Sequence, residues 1–558
     1  MKQPGAGFGA LIGGLLTAPL MAIFFLAEQF IGLPFAPFDL FDWLARVLPG
    51  DVLTLVVGAM VSVIEGLNLG ETSSTAKTME QLTAIVIFLL LGAAAGAAFF
   101  VLARSLKSDS KGMAGVIFGA VLGIPVLLIS IGINGTLDSD PVLGGVWILA
   151  SFLAWGAALG WAYDNLVSTA VRDQRLATQR EREAANLPTG QQTQVVVEPI
   201  NRREFLIRMG SATAVLTIAG AGLGSLLTAG RQSGASTSAF PVDGTPLPAG
   251  LPNASDPLVP APGTRPEYTP LADHYRIDIN LRSPEIDGAA WTLPISGLVD
   301  NPLALSLDDI RSNYEAMDQY ITIACISNRV GGDLIGTTRW TGVSLQRILA
   351  DAGLQGGAAY LKITSADGFH ETVALDLIES DERIMLCYEW DGQPLTVDHG
   401  FPLRIYIPDR YGMKQPKWIT GIEVVSDYEQ GYWVRRGWDE VAQMRATSVI
   451  DTVAAEALVE DGGRVLVPIG GIAHAGARGI SRVEVRVDDG EWQEARLRTP
   501  LSETTWVIWR YDWPFEEGRH TFAVRCYEGD GTPQIEQDRP PRPSGATGIH
   551  TRGATIST

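Results

Sequence analysis

The stretch ITIACISNRVGGDLIGTTRW, from Ile321 to Trp340, holds residue types that could bind a metal. Its β-branched start predicts a buried strand that ends just before Cys325, and a loop with three glycines between positions 331 and 336 follows. Glycines let a backbone approach a ligand closely, and unpaired N–H groups there can hold an anion. The Cys325 thiolate could then be a soft ligand for a metal held mostly by another group. A buried core thiol is the alternative interpretation of this residue.

A second informative stretch, HGFPLRIYIPDRYGMKQPKW, runs from His399 to Trp418. Together with two blocks between them, the two stretches resemble the sulfite oxidase family of molybdopterin enzymes. The four matching blocks are, in order, Cys325 with Asn328 and Arg329; Trp340 with Gly342, Val343 and Leu345; the run from Tyr388 to Leu395; and the run from His399 to Trp418.

The resemblance implies a molybdenum-molybdopterin cofactor with Cys325 as the thiolate ligand of the metal and as the catalytic residue. The phosphate of such a cofactor needs fixed donors and positive charge. By the same resemblance, the cofactor-binding residues are expected to be Asn280, Asp367, His399, Arg404, Gly412, Lys414 and Lys417. A surface lysine is the alternative for Lys414, and an Asp-Gly turn is the alternative for Asp367. Cys387 and Cys526 lie in apolar runs and are interpreted as core residues.

Two positions depart from the family pattern. Asp278 occupies the place of an arginine that binds substrate in sulfite oxidases, and Trp438 occupies the place of a tyrosine. An uncompensated carboxylate at position 278 would repel sulfite. Arg282, Arg329 or Arg436 could take over the missing positive charge, so the resemblance favours the reaction class more strongly than the substrate.

Composition excludes several other classes. The 558-residue chain has a net charge of −20, which argues against nucleic acid as a partner. The three cysteines have no CxxC spacing, so we expect no iron–sulfur cluster. We also expect no haem, because no histidine precedes His274 in the apolar part and no CxxCH motif occurs.

The first 170 residues predict a polytopic α-helical membrane domain. Five apolar segments approach the ~20 residues that cross a bilayer, although the second is short and carries Glu65, so that an interfacial or re-entrant segment is its alternative. The five segments are Gly7–Phe30, Val52–Leu69, Leu82–Leu102, Met113–Ile133 and Val142–Val167. A helix in the membrane interface is predicted between the first two. Basic residues after the third and fifth segments place those loops in the cytoplasm, and the alternation then puts the N-terminus outside.

Residues 171–230 combine a basic cytoplasmic segment with a sixth span. Arg202 and Arg203, followed by a moderately apolar run, resemble a twin-arginine export signal; a plain stop-transfer helix is the alternative. A cofactor inserted in the cytoplasm requires export of a folded domain, which is what that route implies. Residues 231–270 are rich in Pro, Ser and Gly and are interpreted as an extracytoplasmic linker.

The remaining chain predicts two soluble domains outside the cell (plasma) membrane. Residues 271–441 are predicted to form an α+β molybdopterin-binding domain, in which Ser306 begins a helix and Gly353 ends another. Residues 442–558 alternate in short runs between Asp-Gly turns, the pattern of a β-sandwich. This last part resembles the family's Ig-like dimerisation domain, which makes a homodimer one option.

These features favour a membrane-anchored oxidoreductase that transfers an oxygen atom to or from a small, sulfur-containing substrate. Its electrons would pass to or from a separate electron-transfer protein or a quinone at the membrane. Two alternatives stay open: a reductase of sulfoxides such as oxidised methionine, and a non-catalytic membrane-anchored binding protein.

Overall fold

A computed structural model describes residues 4–67, 70–106, 111–134, 141–185 and 250–557, together with a few positions between 207 and 217. The chain divides into two compact units. The first comprises Met1–Val47 and Thr78–Ala235, and the second comprises Leu48–Lys77 and Ser236–Thr558. The N-terminal helices are α1 (Ala6–Ile31), α2 (Ala36–Val47), α3 (Gly50–Leu67), α4 (Thr72–Ser105), α5 (Gly112–Asn134) and α6 (Pro141–Ala185).

Four helices, α1, α4, α5 and α6, are long and apolar enough to cross a membrane, in agreement with four of the five predicted spans. Glycines let α1 and α4 pack closely. A Cβ added at Gly13 would lie 2.3 Å from the Gly92 carbonyl oxygen, and one at Gly96 would lie 2.2 Å from the Gly9 carbonyl oxygen. Small residues at such crossings maximise van der Waals contact where no hydrophobic force separates helix from lipid.

The second predicted span differs from expectation. It corresponds to α3, whose apolar part, Gly50–Ile64, falls short of the ~20 residues that a spanning helix needs. Helix α3 belongs to the second unit. The predicted interfacial segment does form a helix, α2.

The expected orientation of the N-terminus is also wrong relative to the basic loop after α4. The Arg104 guanidinium, at the end of α4, donates to the Pro4 carbonyl at 2.9 and 3.1 Å, so the start of α1 lies beside the end of α4. The two ends therefore belong to one side of the helix bundle. The cause is the removal of one crossing from the predicted count.

The twin-arginine pair, Arg202 and Arg203, most of the predicted sixth span and residues 231–249 of the linker lie outside the described residues. The rest of the predicted linker is folded against the C-terminal domain. Arg265 pairs with Asp451 at 2.7 Å, and Arg498 pairs with Glu267 at 3.0 Å. These ion pairs could not be read from a proline-rich composition.

Two sheets build the predicted α+β domain. One is mixed, with the order β2-β1-β10-β5-β6, and the other has the order β3-β4-β7-β8 with β9 paired to β7. The elements are β1 (Thr292–Gly297), β2 (Leu303–Ser306), α7 (Leu307–Asn313), β3 (Ala316–Ala324), β4 (Ile335–Ser344), α8 (Leu345–Ala352), β5 (Tyr360–Ser365), β6 (His370–Ala374), α9 (Leu375–Ser380), β7 (Met385–Trp390), β8 (Gln393–Pro394), β9 (Arg404–Tyr406) and β10 (Ile419–Val425).

Local signals in this domain are confirmed. The Ser306 hydroxyl accepts from the Asp309 N–H, and the Asp309 carboxylate accepts from the Ser306 N–H, which completes a capping box at α7. Helix α8 ends at Gly353, whose φ of 68° suits a residue without a Cβ. The apolar face of α8 packs into the core with Ile348 and Leu349.

The C-terminal domain is a sandwich of two antiparallel sheets, as its alternating pattern predicts. Side chains from both sheets share one core, including Val467 and Trp509 from the first and Val485 and Phe522 from the second. The first sheet contains β11 (Thr447–Val453), β12 (Val459–Asp461), β13 (Arg464–His474), β16 (Arg496–Leu497) and β17 (Val507–Pro514), and the second contains β14 (Ile480–Val487), β15 (Gln493–Glu494), β18 (Gly518–Glu528) and β19 (His550–Ile556).

Candidate functional site: a cationic pocket beside Cys325

Cys325 follows the last residue of β3 and begins the glycine-rich loop, as the sequence predicts. Its N–H donates to the Leu334 carbonyl at 2.9 Å, and its carbonyl accepts from the Asn328 N–H at 3.0 Å. The Asn328 side-chain oxygen accepts from the Leu334 N–H at 3.0 Å and so closes the loop on itself. Cys325 Sγ lies 3.0 Å from Ser327 Oγ, and burial raises the pKa of the thiol. The backbone therefore fixes the sulfur at a strand end.

The other two cysteines are core residues, as expected. Cys387 in β7 and Cys526 in β18 are fully buried, and burial raises the pKa of each thiol to about 12. Neither thiol has the ionised form that binds a metal. Cys325 is the partly exposed member of the three.

Three of the predicted cofactor residues meet next to one glycine. The Arg404 guanidinium donates to the His399 carbonyl at 3.2 Å, and the Lys417 ammonium donates to the Asp398 carbonyl at 2.9 Å. Gly400 lies between them with φ 110°; a Cβ there would lie 3.1 Å from Lys417 Cβ and 3.2 Å from Arg404 Cβ. Both cations are buried.

This arrangement fits an anionic ligand. Arg404 Nε and His274 Nε2 are buried without a hydrogen-bond partner, although each sits beside other positive or polar groups. Burial lowers the pKa of Lys417 to about 8, with Asp278 opposing the shift, and burial likewise lowers the pKa of Arg404. Unpaired cations in a buried place are costly, and a bound phosphate would relieve that cost.

His399 contributes shape and not charge. Its Nε2 lies 3.3 Å from the His274 carbonyl, which can only accept, so Nε2 carries the proton and Nδ1 accepts from the Thr396 hydroxyl at 3.1 Å. Burial, His274 and nearby cations hold the pKa of His399 well below its usual range. The ring packs 4.3 Å from that of Trp390, so its orientation is fixed.

His274 and Tyr275 lie at the centre of the site, and the sequence reasoning missed both. His274 stacks on Tyr275 with ring centroids 5.5 Å apart and lies 5.7 Å from His399. A Cβ added at Gly412 would lie 3.3 Å from the Tyr275 hydroxyl, which brings the predicted Gly412 next to the Cys325 end of the pocket. The signal available was a His-Tyr pair three residues before Asp278.

The carboxylate of Asp278 does not act as the sequence suggested. It is fully buried and pairs with Arg276 at 2.7 Å, Lys77 at 3.1 Å and Lys417 at 3.5 Å. Burial alone would raise the pKa of Asp278, but Lys77, Lys417 and Arg276 hold it below its usual range. The expected repulsion of sulfite is thus wrong, because cations surround this negative charge.

The remaining predicted residues differ in their surroundings. Asn280 is buried, and its carbonyl accepts from Lys77 at 3.0 Å. Asp367 is buried and accepts from the Phe369 N–H at 3.0 Å, the turn that was its alternative. Lys414 pairs with the buried Glu371 at 2.8 Å, so its charge is already balanced within the protein. The first two remain beside the cationic site, whereas Lys414 serves an internal ion pair.

A pocket opens beside the Cys325 loop. Two arginines and a tyrosine reach it: Arg329 from the loop, Tyr411, and Arg445 from the segment that leads into the sandwich. The complete lining is Ala324, Asn328, Arg329, Val330, Ile335, Tyr411, Met444, Arg445, Thr447, His474 and Ala546. Arg445 Nε donates to the Ser544 carbonyl at 3.0 Å, which fixes the guanidinium. No sequence signal distinguished Arg445 from other arginines.

Of the three arginines proposed to replace the missing one, Arg329 lines this pocket. Arg436 instead stacks over the Tyr432 ring at 3.6 Å and donates to its carbonyl, and Arg282 is buried near Glu285. Trp438 packs edge-on against Trp433 with centroids 6.5 Å apart. Tyr411 nevertheless brings a phenol to the pocket from another segment.

Among the described residues, no group of three or more His, Cys, Asp or Glu side chains could hold a metal by itself. A metal at Cys325 would therefore depend on ligands supplied by a second molecule. A molybdopterin, which carries its own metal ligands and ends in a phosphate, has the required chemistry.

Comparison with known proteins agrees with this chemistry. Residues 280–433 match the family described as the oxidoreductase molybdopterin binding domain. The chain is 33% identical over 154 residues to the uncharacterized oxidoreductase YuiH of Bacillus subtilis, covering 27% of this chain and 74% of YuiH. It is 29% identical over 303 residues to the mitochondrial sulfite oxidase of Macaca fascicularis, covering 46% of this chain and 55% of that protein.

Among solved structures, the sulfane dehydrogenase SoxCD from Paracoccus pantotrophus aligns with 57% of this chain and 96% of its own at 19% identity, with a TM-score of 0.45. The chain spans about half the length of the sulfite oxidases it matches. Fold pattern and site define an oxidoreductase with a molybdopterin-binding domain. The chain belongs to the sulfite oxidase family of these proteins.

The pKa of Lys417 generates a prediction about pH. In the cofactor-free protein this lysine is charged below about pH 8 and neutral above it. An anionic cofactor needs the charged form, so uptake of molybdopterin by cofactor-free protein should weaken about tenfold between pH 7 and pH 9. Retained pterin, measured after mixing at each pH, tests this. Lys417→Arg should keep its charge and flatten the profile; an equally steep profile in that variant would contradict the assignment.

Proposed function

We propose that this protein is a membrane-anchored, extracytoplasmic molybdenum-cofactor oxidoreductase that transfers an oxygen atom on a small sulfur-containing anion. One observation carries the proposal: Cys325 stands at a fixed strand end between a buried cationic cluster and a pocket lined by two arginines. The cluster suits the anionic end of a cofactor, and the pocket suits a substrate. When bound, the molybdenum-molybdopterin would supply two-electron oxygen-atom transfer.

The protein's own residues hold and orient. Arg404 and Lys417 balance the charge of a cofactor phosphate, with Asn280 and Asp367 beside them. Cys325 supplies a thiolate to the metal, and the closed loop from Asn328 to Leu334 keeps the sulfur in place. Gly412 leaves room next to Ala324, whose carbonyl oxygen would lie 3.5 Å from an added Cβ.

The charge of the pocket favours an oxidised sulfur anion over a neutral sulfoxide. Arg329 and Arg445 both reach it, and guanidinium groups form strong paired hydrogen bonds with planar or tetrahedral oxyanions. A neutral sulfoxide would leave two buried cations without a counter-charge. His474 adds no charge, because burial lowers its pKa to about 4.

Chain topology supports an extracytoplasmic site. Arg104 ends α4, and the basic residues that follow place this end in the cytoplasm. Residues 48–77, ahead of the same span, belong to one compact unit with the catalytic half. If α4 crosses the membrane once, that unit lies on the opposite side from Arg104, and the predicted sixth span returns the chain to it.

Electrons would leave through a separate electron-transfer protein or a membrane quinone, since we expect neither haem nor an iron–sulfur cluster in this chain. The two-sheet sandwich is proposed to be Ig-like and of the dimerisation type, by the resemblance of its sequence.

Cys325→Ser should abolish turnover, with a loss of at least about 100-fold, because a hydroxyl is a poor substitute for a thiolate on a soft metal. Pterin and molybdenum content should stay near wild type, since the contacts of the phosphate end remain. Electron spin resonance of the metal should change. Cys526→Ser, a buried thiol in the sandwich, is the control. A variant that keeps full activity, or a wild type purified without molybdenum from a competent host, would overturn the proposal.

Arg445→Met should raise the KM for sulfite roughly 10- to 100-fold, the value of one lost charge-assisted hydrogen bond. The effect should be smaller for a neutral sulfoxide assayed in the reverse direction with an artificial electron donor. Arg347→Met removes an exposed arginine that pairs with Glu315 and serves as the control. Sulfoxide reduction faster than sulfite oxidation, with no effect of Arg445, would favour the reductase alternative.

The proposed side of the membrane has a direct test. Protease added to intact spheroplasts should cleave the part of the chain beyond residue 250, and the same protease added to inverted vesicles should leave it intact. Protection in spheroplasts and cleavage in inverted vesicles would place the catalytic half in the cytosol and reject the extracytoplasmic assignment.

A further inference from the structure

Residues 48–77 precede the catalytic half by almost 200 positions and yet form part of the same compact unit. Several of their contacts fall on segments that frame the site. The Thr72 N–H donates to the Asp333 carboxylate at 2.8 Å, and Arg329 donates to the Ser62 hydroxyl at 2.9 Å. Asp333 and Arg329 both belong to the glycine-rich loop after Cys325. The segment is thus fastened to the loop that presents the sulfur.

Lys77 goes further and reaches the cofactor cluster itself. Its ammonium lies 3.1 Å from Asp278 and donates to the Asn280 carbonyl at 3.0 Å. The Asp278 side chain is completely shielded from solvent, and that of Lys77 is 13% exposed. A buried ion pair of this kind holds its partners in one geometry, and removal of one partner leaves a buried charge uncompensated.

Asp278 is shared between Lys77 and Lys417, the residue placed at the anionic end of the cofactor. At 3.5 Å the contact of Asp278 with Lys417 is longer than its contact with Lys77. Without Lys77, the carboxylate would have Lys417 and Arg276 as its remaining partners and would draw Lys417 away from an incoming phosphate. Asn280 would lose a donor that holds its backbone.

We propose that Lys77 is a positioning residue of the molybdopterin pocket: by pairing with Asp278 and the Asn280 carbonyl, it keeps Lys417 and Asn280 placed to hold the cofactor. The inference rests on the proposed function, because it presumes that a molybdopterin occupies the cluster. It assigns a part of the cofactor site to the segment between the first two long apolar helices.

The test measures retained cofactor and not turnover. Full-length wild type, Lys77→Met and Lys77→Arg are purified in detergent, and pterin per chain is measured by fluorescence after oxidation. We expect Lys77→Met to retain at least about fivefold less pterin than wild type and Lys77→Arg to retain most of it. Lys362→Met is the matched control, since Lys362 pairs with Glu429 at a partly exposed place in the same unit.

A double-mutant cycle separates positioning from general loss of stability. If Lys77 acts through Asp278, then Lys77→Met should reduce pterin much less in an Asp278→Asn background than in wild type. Equal losses in both backgrounds, or full retention in Lys77→Met, would overturn the inference. A lowered thermal midpoint with additive losses would likewise mean a purely structural role. Wild type without pterin would instead reject the proposed function, so the two failures are distinguishable.

Discussion

The buried carboxylate of Asp278 and the cations around it are the interaction on which the site depends. Burying a charge costs several kcal/mol unless partners compensate it, and Asp278 is shielded completely between Lys77, Arg276 and Lys417. Arg404 adds a further buried cation that faces no carboxylate within ion-pair distance among the described residues. Cations thus outnumber the anions at this place. The imbalance is unfavourable for the protein alone and favourable once an anionic group binds, so the same charges that weaken the empty pocket give the full one its affinity.

The sequence predicted those parts of the fold that local physics controls. The Ser306 capping box, the glycine end of α8 and the alternating strands of the sandwich depend on residues a few positions apart, and all are present. The errors concern the count of membrane crossings and the extent of the linker. Helix α3 is apolar over too short a length to span, and residues 250–270 are ordered by ion pairs with the sandwich more than 180 positions away. Composition carries no information about such distant partners.

The candidate site divides along the same line. Cys325, Arg404 and Lys417 could be found because each lies in a motif whose spacing resembles the family. Lys77, Arg445 and Tyr275 could not, because what makes them important is a contact made only in three dimensions. The charge of Asp278 was misjudged for the same reason: a carboxylate in place of an arginine suggests repulsion, whereas its neighbours from three separate segments neutralise it. Lys414 shows the reverse error, since its motif suggested a phosphate and the fold supplies Glu371.

The position of residues 48–77 has a consequence for how the two parts of the chain depend on each other. A domain held to a membrane by a linker could be cut free without change to its site. Here the contacts of Lys77 with Asp278, Thr72 with Asp333 and Ser62 with Arg329 tie an N-terminal segment to the cofactor cluster and to the loop of Cys325. A catalytic half that begins after residue 250 would lack these groups and would retain Asp278 with one counter-charge fewer. The N-terminal region is therefore a part of the site's electrostatics as well as an anchor, and the order of assembly matters: the segment must be in place before the pocket has the charge distribution that holds its ligand.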